Sequence, residues 1–561
     1  MKRLIITLLS SIAFLVVVGQ SNPTVVVGDM KIAANGTMKS VGAVNMKATD
    51  VQNSRMVNNG TLNVAGGGII FYSAPGKDGL LLTNEGATVT APTDSRNVKM
   101  HKVFEDNEFY YAISFPFDVN TNSITNAATG EVLSVNYDPS DGVSYKGLYI
   151  FEYDSQNRAN TGLFGSNWKN FSGSVLKRGT GYRILSYDAP EVEFPAATYP
   201  SSNSDSLFAY SNKNLNGLID YIKRDASGNP SQVGDYPEGR GWNYIGGLNT
   251  SAFDLRKALD FTIDGSNEWN QAIYYMKPNE TYVQLLLRVN DAIASPYVPF
   301  FVQVRGGDNS GNATIAAHFY KDGVTISDAV PTDFRASEAA NEDVICSLTL
   351  RSDLRDDDSD DIYLVFGDKY KDEYRIQEDA VKMFSNNEPQ LWANVNSIQL
   401  FANALPRDGE GKVVNLGFSV PKAGQYTFEF ANKLGDGQFV KKAILEDKTT
   451  GTQTDVLTKT YSFTANDASK ASDRFVLYVN RSATGIDAVE SPTVYAYVQD
   501  GRLTVKNVAN GDKIQVVDLA GRVVASGIAQ SSEFSTLLNQ KGVFIVNVKG
   551  EKNAVLKVLS K

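Results

Sequence analysis

Three short motifs recur near the start of the chain at almost constant spacing. Asn35-Gly36-Thr37, Asn59-Gly60-Thr61 and Glu85-Gly86-Ala87 follow one another at intervals of 24 and 26 residues. Each closes a polar stretch and opens an alternating run such as Thr61-Leu62-Asn63-Val64 or Ala87-Thr88-Val89-Thr90. A turn-plus-strand unit cannot bury its apolar face alone, so units repeated at a fixed period must stack on one another. The spacing predicts a short β-solenoid over residues 20–95. A run of unrelated hairpins is the competing reading, although hairpins have no need of a period.

The rest of the chain offers strands in nearly every window. It carries 28 Phe and 27 Tyr against 8 Met, a composition suited to pleated, half-buried surfaces. The segments 362–366, 414–418 and 423–430 are strand candidates, the last with a clear alternation. At 561 residues the sequence exceeds what one hydrophobic core supports. The expected division places a β-sandwich-like domain at 96–330 and a second at 331–481. Sandwiches are economical because each alternating strand buries one face against the opposite sheet. Pro116 marks a strand end or an edge within the aromatic run 109–117, and residues 376–384 read as a short helix. Cys346 is the single cysteine, so no intramolecular disulfide can form. Val344, Cys346, Leu348 and Leu350 share one strand face, which assigns the thiol to the core as a small hydrophobe. The fold class is all-β and multidomain.

Both ends of the chain read as addresses. Lys2 and Arg3 precede an apolar run over residues 4–18, and Val17-Val18-Gly19 sets short side chains ahead of Gln20. That is the pattern of a secretory signal over residues 1–19, cut between Gly19 and Gln20. No later stretch is long and apolar enough for a spanning helix. At the other end, residues 516–524 read as strand, tight turn and strand, with Asp518, Gly521 and Arg522 at the turn. Gly542-Val543-Phe544-Ile545-Val546 and a final strand follow. These motifs resemble the C-terminal sorting domain of cargo for the type IX secretion system of Bacteroidota, where V-x-D-x-x-G-R-x-V precedes G-V-Y-I-V-x-V. Phe544 stands where that family usually has Tyr. The resemblance covers residues 484–561 and implies an immunoglobulin-like sorting domain at 482–561. It further implies the secretion machinery and its sortase as partners, and removal of the domain near residues 481–485. Anchoring to surface lipopolysaccharide, or release, would follow. An ordinary immunoglobulin-like domain is the competing reading.

Two internal series are similar to those of surface proteins exported by the same route. One joins Gly179-Thr180-Gly181-Tyr182, Gly241-Trp242-Asn243-Tyr244 and Pro299-Phe300-Phe301-Val302. It departs from the usual module at Gly247-Leu248 and Val298-Pro299. The other joins the hairpin tip at 445–451, Tyr461-Ser462-Phe463 and Arg474-Phe475. No catalytic activity attaches to the first module, so the likeness implies a structural or binding role.

Charge and chemistry narrow the function further. The formal net charge is −10, which repels phosphate backbones and argues against nucleic acid. With 2 histidines and no H-E-x-x-H, C-x-x-C, G-x-S-x-G or P-loop, the commonest hydrolase, redox and nucleotide signatures are missing. A glycosidase needs only two carboxylates at a set separation, so that class stays open. Asp356, Asp358 and Asp360 sit in the densest carboxylate run and are calcium candidates. The run lacks the EF-hand glycine and glutamate, and a solvated loop is the simpler reading. Ser206, in Asp205-Ser206-Leu207, resembles a Bacteroidota O-glycosylation site. Of the four tryptophans, Trp168 is the best placed for sugar stacking, and core packing is the simpler role for all of them.

The sequence therefore reads as an exported, surface-attached, non-catalytic protein, a surface antigen or adhesin-like binder with no obligatory cofactor. Its ligand, a host molecule or a glycan, is unspecified. A glycan-active enzyme, a glycan-binding module and a structural subunit of a surface assembly are the alternatives.

Overall fold

The computed structural model describes residues 24–560, except 27–28, 35–36, 41–42, 48–53, 75–76, 106–108, 139–144, 163–166, 200–205, 221–226, 228–236, 263–268, 277–280, 291, 306–312, 326–342, 355–357, 386, 397, 482–493, 500, 539 and 551–553. The proposed signal segment, with Gly19 and Gln20, lies outside the described residues. Strands dominate throughout, and the α-helices among the described residues are the short segments Ser155–Thr161 and Leu255–Ala258. None of these helices is long and apolar enough to cross a membrane, which says nothing of strands.

The chain opens as a stack of parallel rungs with three faces. One face stacks β1 (Thr24–Val26), β4 (Ala43–Met46), β7 (Gly68–Ala74) and β10 (Val98–Val103). The second stacks β2 (Asp29–Ile32), β5 (Ser54–Asn58) and β8 (Lys77–Thr83). The third stacks β3 (Thr37–Lys39), β6 (Thr61–Asn63) and β9 (Thr88–Thr90). The β-solenoid expected from the repeats is thus present. Equivalent side chains fall in register, so Met46, Phe71 and Met100 form one column and Met38, Leu62 and Val89 another. Each rung alone would leave its apolar side wet; stacking buries it.

Asn58, Asn59-Gly60 and Asn84 lie at corners of this stack, while Asn35-Gly36 falls outside the described residues. Asn84 Nδ2 donates to Asn59 Oδ1 (2.6 Å), Asn59 Nδ2 to the Ile32 carbonyl (3.1 Å), and Asn58 Nδ2 to the Thr88 carbonyl (2.9 Å). Each amide satisfies a backbone or side-chain group of the adjacent rung, so the repeat serves bonding between rungs as well as the turn. The side of β8 is occupied too: Leu81 N–H donates to the Thr250 carbonyl and Thr250 Oγ1 returns a bond to the Leu81 carbonyl, both at 2.8 Å.

The stack does not end at residue 95. Beside β7, β10 pairs antiparallel with Glu191–Thr198, which carries the sheet on to Asp118–Asn120 and Val175–Leu176. Beyond it lie a four-stranded sheet (Tyr111–Ser114, Gly181–Ser186, Leu148–Tyr153, Trp168–Asn170) and another (Trp242–Ile245, Phe300–Gln303, Ala272–Met276, Tyr282–Leu286). Tyr111–Ser114 stops ahead of Pro116, as a missing N–H requires.

The first module-like series converges at these sheets. Gly181 leaves no room for a Cβ, which would stand 2.4 Å from the Tyr244 ring and 2.7 Å from Pro299. Gly241 has φ +71°, and a Cβ there would meet the Val304 carbonyl oxygen at 1.8 Å. These glycines serve close packing.

A large sheet follows, with 11 strands that include Val344–Ser352, Ser359–Gly367, Lys412–Val420, Gly424–Leu434 and Ser469–Val479. Its core is continuous with Trp242, Tyr274 and Phe301, so one cluster spans both sides of residue 330. Cys346 is buried in that core as expected, and burial pushes its thiol up to about 12. The expected helix at 376–384 is absent. A turn there leads into the short strand Ala380–Val381, because buried Asp379 accepts from Arg375 N–H (2.7 Å) and Ala404 N–H (2.8 Å). The local turn bond to Arg375 and the tertiary bond to Ala404 together outweigh a weak helix propensity.

The chain divides into two compact units, Met1–Ala483 and Thr484–Lys561. The second is a pair of antiparallel sheets, one of Tyr495–Gln499, Arg502–Lys506 and Glu533–Leu537. The other orders Val523–Ile528, Lys513–Asp518, Gly542–Lys549 and Ala554–Ser560. Leu503, Val505, Ile514, Val516, Phe544 and Val548 form its own core.

Candidate functional site

The C-terminal unit places the sorting-pattern residues in three different roles. Asp518 and Arg522 build the tip of the hairpin between Lys513–Asp518 and Val523–Ile528. Asp518 Oδ1 accepts from the N–H groups of Ala520 (2.9 Å) and Arg522 (3.0 Å), while Oδ2 accepts from Arg522 Nε (2.8 Å). Gly521 sits at φ +78°, a conformation glycine adopts without strain. The Arg522 backbone N–H and guanidinium hold the Asp518 carboxyl below its usual range. The carboxylate thus organises the turn and leaves the Arg522 side chain 77% exposed, with Leu519 beside it 75% exposed. Leu519 was not singled out by the sequence, because exposure at a tip leaves no periodic trace.

The second group is the strand Gly542–Lys549, central between Lys513–Asp518 and Ala554–Ser560. Phe544 and Val546 point into the core, and Phe544 stands opposite Asp518. Val543 and Ile545 face the other way, half-buried, in register with Leu559 and Lys557. Gly542 opens the strand at φ +137°.

The remaining candidates do not converge on one site. Asp356 lies outside the described residues. The Asp358 carbonyl accepts from Ser352 N–H (2.8 Å). Asp360 receives Lys382 Nζ at 2.7 Å on Oδ1 and 2.5 Å on Oδ2, and Leu391 N–H at 2.6 Å. The carboxylate offered to calcium by the sequence faces a buried ammonium. Ser206 is half-buried; its carbonyl accepts from Lys213 Nζ (2.6 Å), and neighbouring Leu207 is in the core.

Trp168 is not a free platform: it packs edge-on against Tyr153 and Tyr244, with the Arg183 guanidinium 4.9 Å from its ring centre. Trp242, Trp269 and Trp392 are buried. The aromatics that do reach solvent include Tyr145 and Tyr187, which sequence reasoning passed over because nothing local distinguishes them from core tyrosines.

The second motif series proves to be a structural pin. Asp447, fully buried, accepts from Arg474 Nε (3.0 Å) and Nη2 (2.7 Å), Tyr461 Oη (2.8 Å) and Thr449 N–H (2.9 Å). Phe463 and Phe475 lie under the guanidinium at 4.7 and 4.8 Å. Asp447, Thr449, Tyr461 and Arg474 of the motif are thus engaged with one another.

No curated protein matches the chain. Among solved structures, one similar chain is described as PorZ, an essential bacterial surface component of the type-IX secretion system of human oral-microbiomic Porphyromonas gingivalis. That match has 16% identity and a TM-score of 0.12, and covers 15% of this chain and 14% of that one. Another is described as a biofilm associated protein, BSP domain, at 8% identity and a TM-score of 0.14, covering 82% of this chain and 92% of that one. Neither likeness is close enough to carry an argument. Residues 483–559, almost the whole C-terminal unit, match a family described as a domain of unknown function (DUF6383).

Proposed function

We propose that the chain is exported by type IX secretion and acts at the cell surface as a non-catalytic binding protein of the antigen or adhesin class. The observation that carries this reading is the self-contained unit Thr484–Lys561, whose tip and central strand are built by the residues of the sorting pattern. A sorting tag must be legible on any passenger, so it needs a core of its own. In this reading residues 1–19 lead the chain into the periplasm, and the secretion machinery and sortase are the partners. Surface lipopolysaccharide supplies the anchor. The acidic body disfavours nucleic acid, and no cofactor is required.

The non-catalytic part of the reading rests on where the recognisable motifs go. Asp447, Tyr461 and Arg474 satisfy one another, and the glycines at 181 and 241 serve close packing, so neither series is left over for chemistry. Loops and edges on a rigid β-frame suit contact with a partner.

Deleting residues 542–561 removes two neighbouring strands of the sheet that holds the Asp518 hairpin. The truncated protein should accumulate in the periplasm, as followed by fractionation and surface labelling. Normal display of the truncated form would sink the export reading. The purified whole chain should also release no product from a panel of glycans and peptides. Sustained hydrolysis, abolished by one carboxylate substitution, would overturn the non-catalytic assignment.

A further inference from the structure

Three tyrosines gather at one end of the sheet that contains Gly181–Ser186 and Leu148–Tyr153. Tyr145 precedes the second strand, Tyr149 lies on it, and Tyr187 follows the first. The Tyr145 ring centre is 5.6 Å from that of Tyr149 and 5.8 Å from that of Tyr187. Tyr145 is 52% exposed and Tyr187 38%. Rings left this open contrast with Tyr182 and Phe171, which are buried.

The frame under the rings is fixed. Tyr187 N–H donates to the Gly147 carbonyl (2.9 Å), and Gly147 N–H donates to Asp188 Oδ1 (3.0 Å). Gly147 has φ +71°, and a Cβ there would lie 2.3 Å from the Ser134 carbonyl oxygen, so the approach of Tyr145 to Tyr187 depends on glycine. Tyr149 Oη donates to the Tyr137 carbonyl (3.0 Å), which sets its ring angle. Ser186 Oγ donates to the Ala189 carbonyl (2.5 Å) and stiffens the next turn. The Tyr145 ring plane is turned 66° from that of Tyr149 and 43° from that of Tyr187, so the rings form an angled surface. The bonds that fix Tyr149 and the Tyr187 backbone lower the cost of settling a ligand on it.

An open cavity of about 500 Å³ lies beside Tyr187, the one ring of the three that lines it, with Phe104, Glu105 and Asp188 also in its wall. That size falls within the range of small-ligand pockets, about 300–1,000 Å³. We propose that Tyr145, Tyr149 and Tyr187, with Asp188 and Glu105 at the rim, bind a short neutral hexopyranose glycan. The inference rests on the reading of the chain as a surface binding protein, and it names the class of ligand.

The chemistry favours a sugar over the other ligands that stack on aromatics. A pyranose offers a face of C–H groups to a ring and a girdle of hydroxyls that donate to carboxylates. Rim groups Asp188 and Glu105 are acceptors of that kind. A proline-rich peptide also docks on tyrosines, but its carbonyls need donors. The rim carboxylates can only accept, so they offer such carbonyls nothing, and the prolines carry no N–H to give them in return. An acidic polysaccharide would meet those carboxylates and a chain of net charge −10.

The test is isothermal titration calorimetry of the purified whole chain with maltohexaose, laminarihexaose, cellohexaose and mannohexaose, and with a polyproline decapeptide. At least one hexaose should bind saturably. Tyr145→Ala and Tyr187→Ala should each weaken that binding by about tenfold, the equivalent of about 1.4 kcal/mol. Tyr145→Phe, which keeps the ring, should bind within about twofold of the parent, or roughly 0.4 kcal/mol. Unfolding midpoints of the variants establish that the fold is intact. Absence of saturable binding to every hexaose overturns the inference. So does unchanged affinity in both alanine variants, or binding of the polyproline peptide in place of sugar. Binding is read on purified protein and export in cells, so the two proposals fail separately.

Discussion

Arg474→Ala should destabilise the first unit by about 3–5 kcal/mol, the cost of leaving a buried charge without its partner. The partner is Asp447, whose side chain is 0% exposed and which takes two of its hydrogen bonds from the Arg474 fork. Truncating the arginine also empties the space over Phe463 and Phe475. Urea unfolding at neutral pH measures the loss. Arg474→Lys should recover only part of it, because an ammonium cannot make the paired bonds of a guanidinium. An unfolding midpoint equal to the parent's would refute the assignment.

The same group gives a pH signature. Burial pushes the Asp447 carboxyl up, but bonds from Arg474, Tyr461 and Thr449 outweigh burial and hold it at about 2. The folded value lies below the unfolded value of about 3.9, so the stabilisation is fully present above about pH 4 and drains away as pH falls toward 2. The shift corresponds to roughly 2–3 kcal/mol. In Asp447→Asn this component of acid sensitivity should disappear from the stability–pH curve, while sensitivity from other carboxylates persists.

Lys382→Met should be comparably damaging, again about 3–5 kcal/mol. Lys382 has no exposed side-chain surface, and its ammonium bridges both oxygens of Asp360. Burial raises the Asp360 carboxyl and Lys382 opposes that rise. Without the lysine the carboxyl rises further, so the damage should be greatest at neutral pH and shrink as acid protonates Asp360. The double change Asp360→Leu, Lys382→Met should return most of the stability, since an apolar pair of similar volume replaces a buried ion pair at little net cost. Thermal unfolding of the three variants across pH separates these outcomes. A double variant as weak as the single one would show that packing, not charge, dominates there.

The parts of this fold that could be read from the sequence are those built by local repetition. The solenoid was legible because each rung meets a near-copy of itself one period later, as Met38 meets Leu62 and Leu62 meets Val89. The Asp518 turn was legible because five consecutive residues contain its geometry. The order of the large sheet was not, since Val344–Ser352 pairs with Gly424–Leu434 across a long stretch of chain and alternation says nothing of partners. The helix expected at 376–384 failed for the same reason, because Asp379 finds its donors in Arg375, Asn403 and Ala404. Trp168 attracted the glycan hypothesis by residue type, yet solvent reaches Tyr145 and Tyr187, whose exposure is decided by tertiary placement.

The division of buried side chains also decides what a nick between the halves can do. No member of the cluster that includes Leu503, Ile514 and Phe544 belongs to the three clusters of residues before Ala483. Hydrolysis of a peptide bond between the two would therefore strip neither fragment of any interior residue. Among the described residues each hydrophobic core is complete on its own side of such a cut, so proteolysis there would release two bodies that stay folded instead of partly denaturing either.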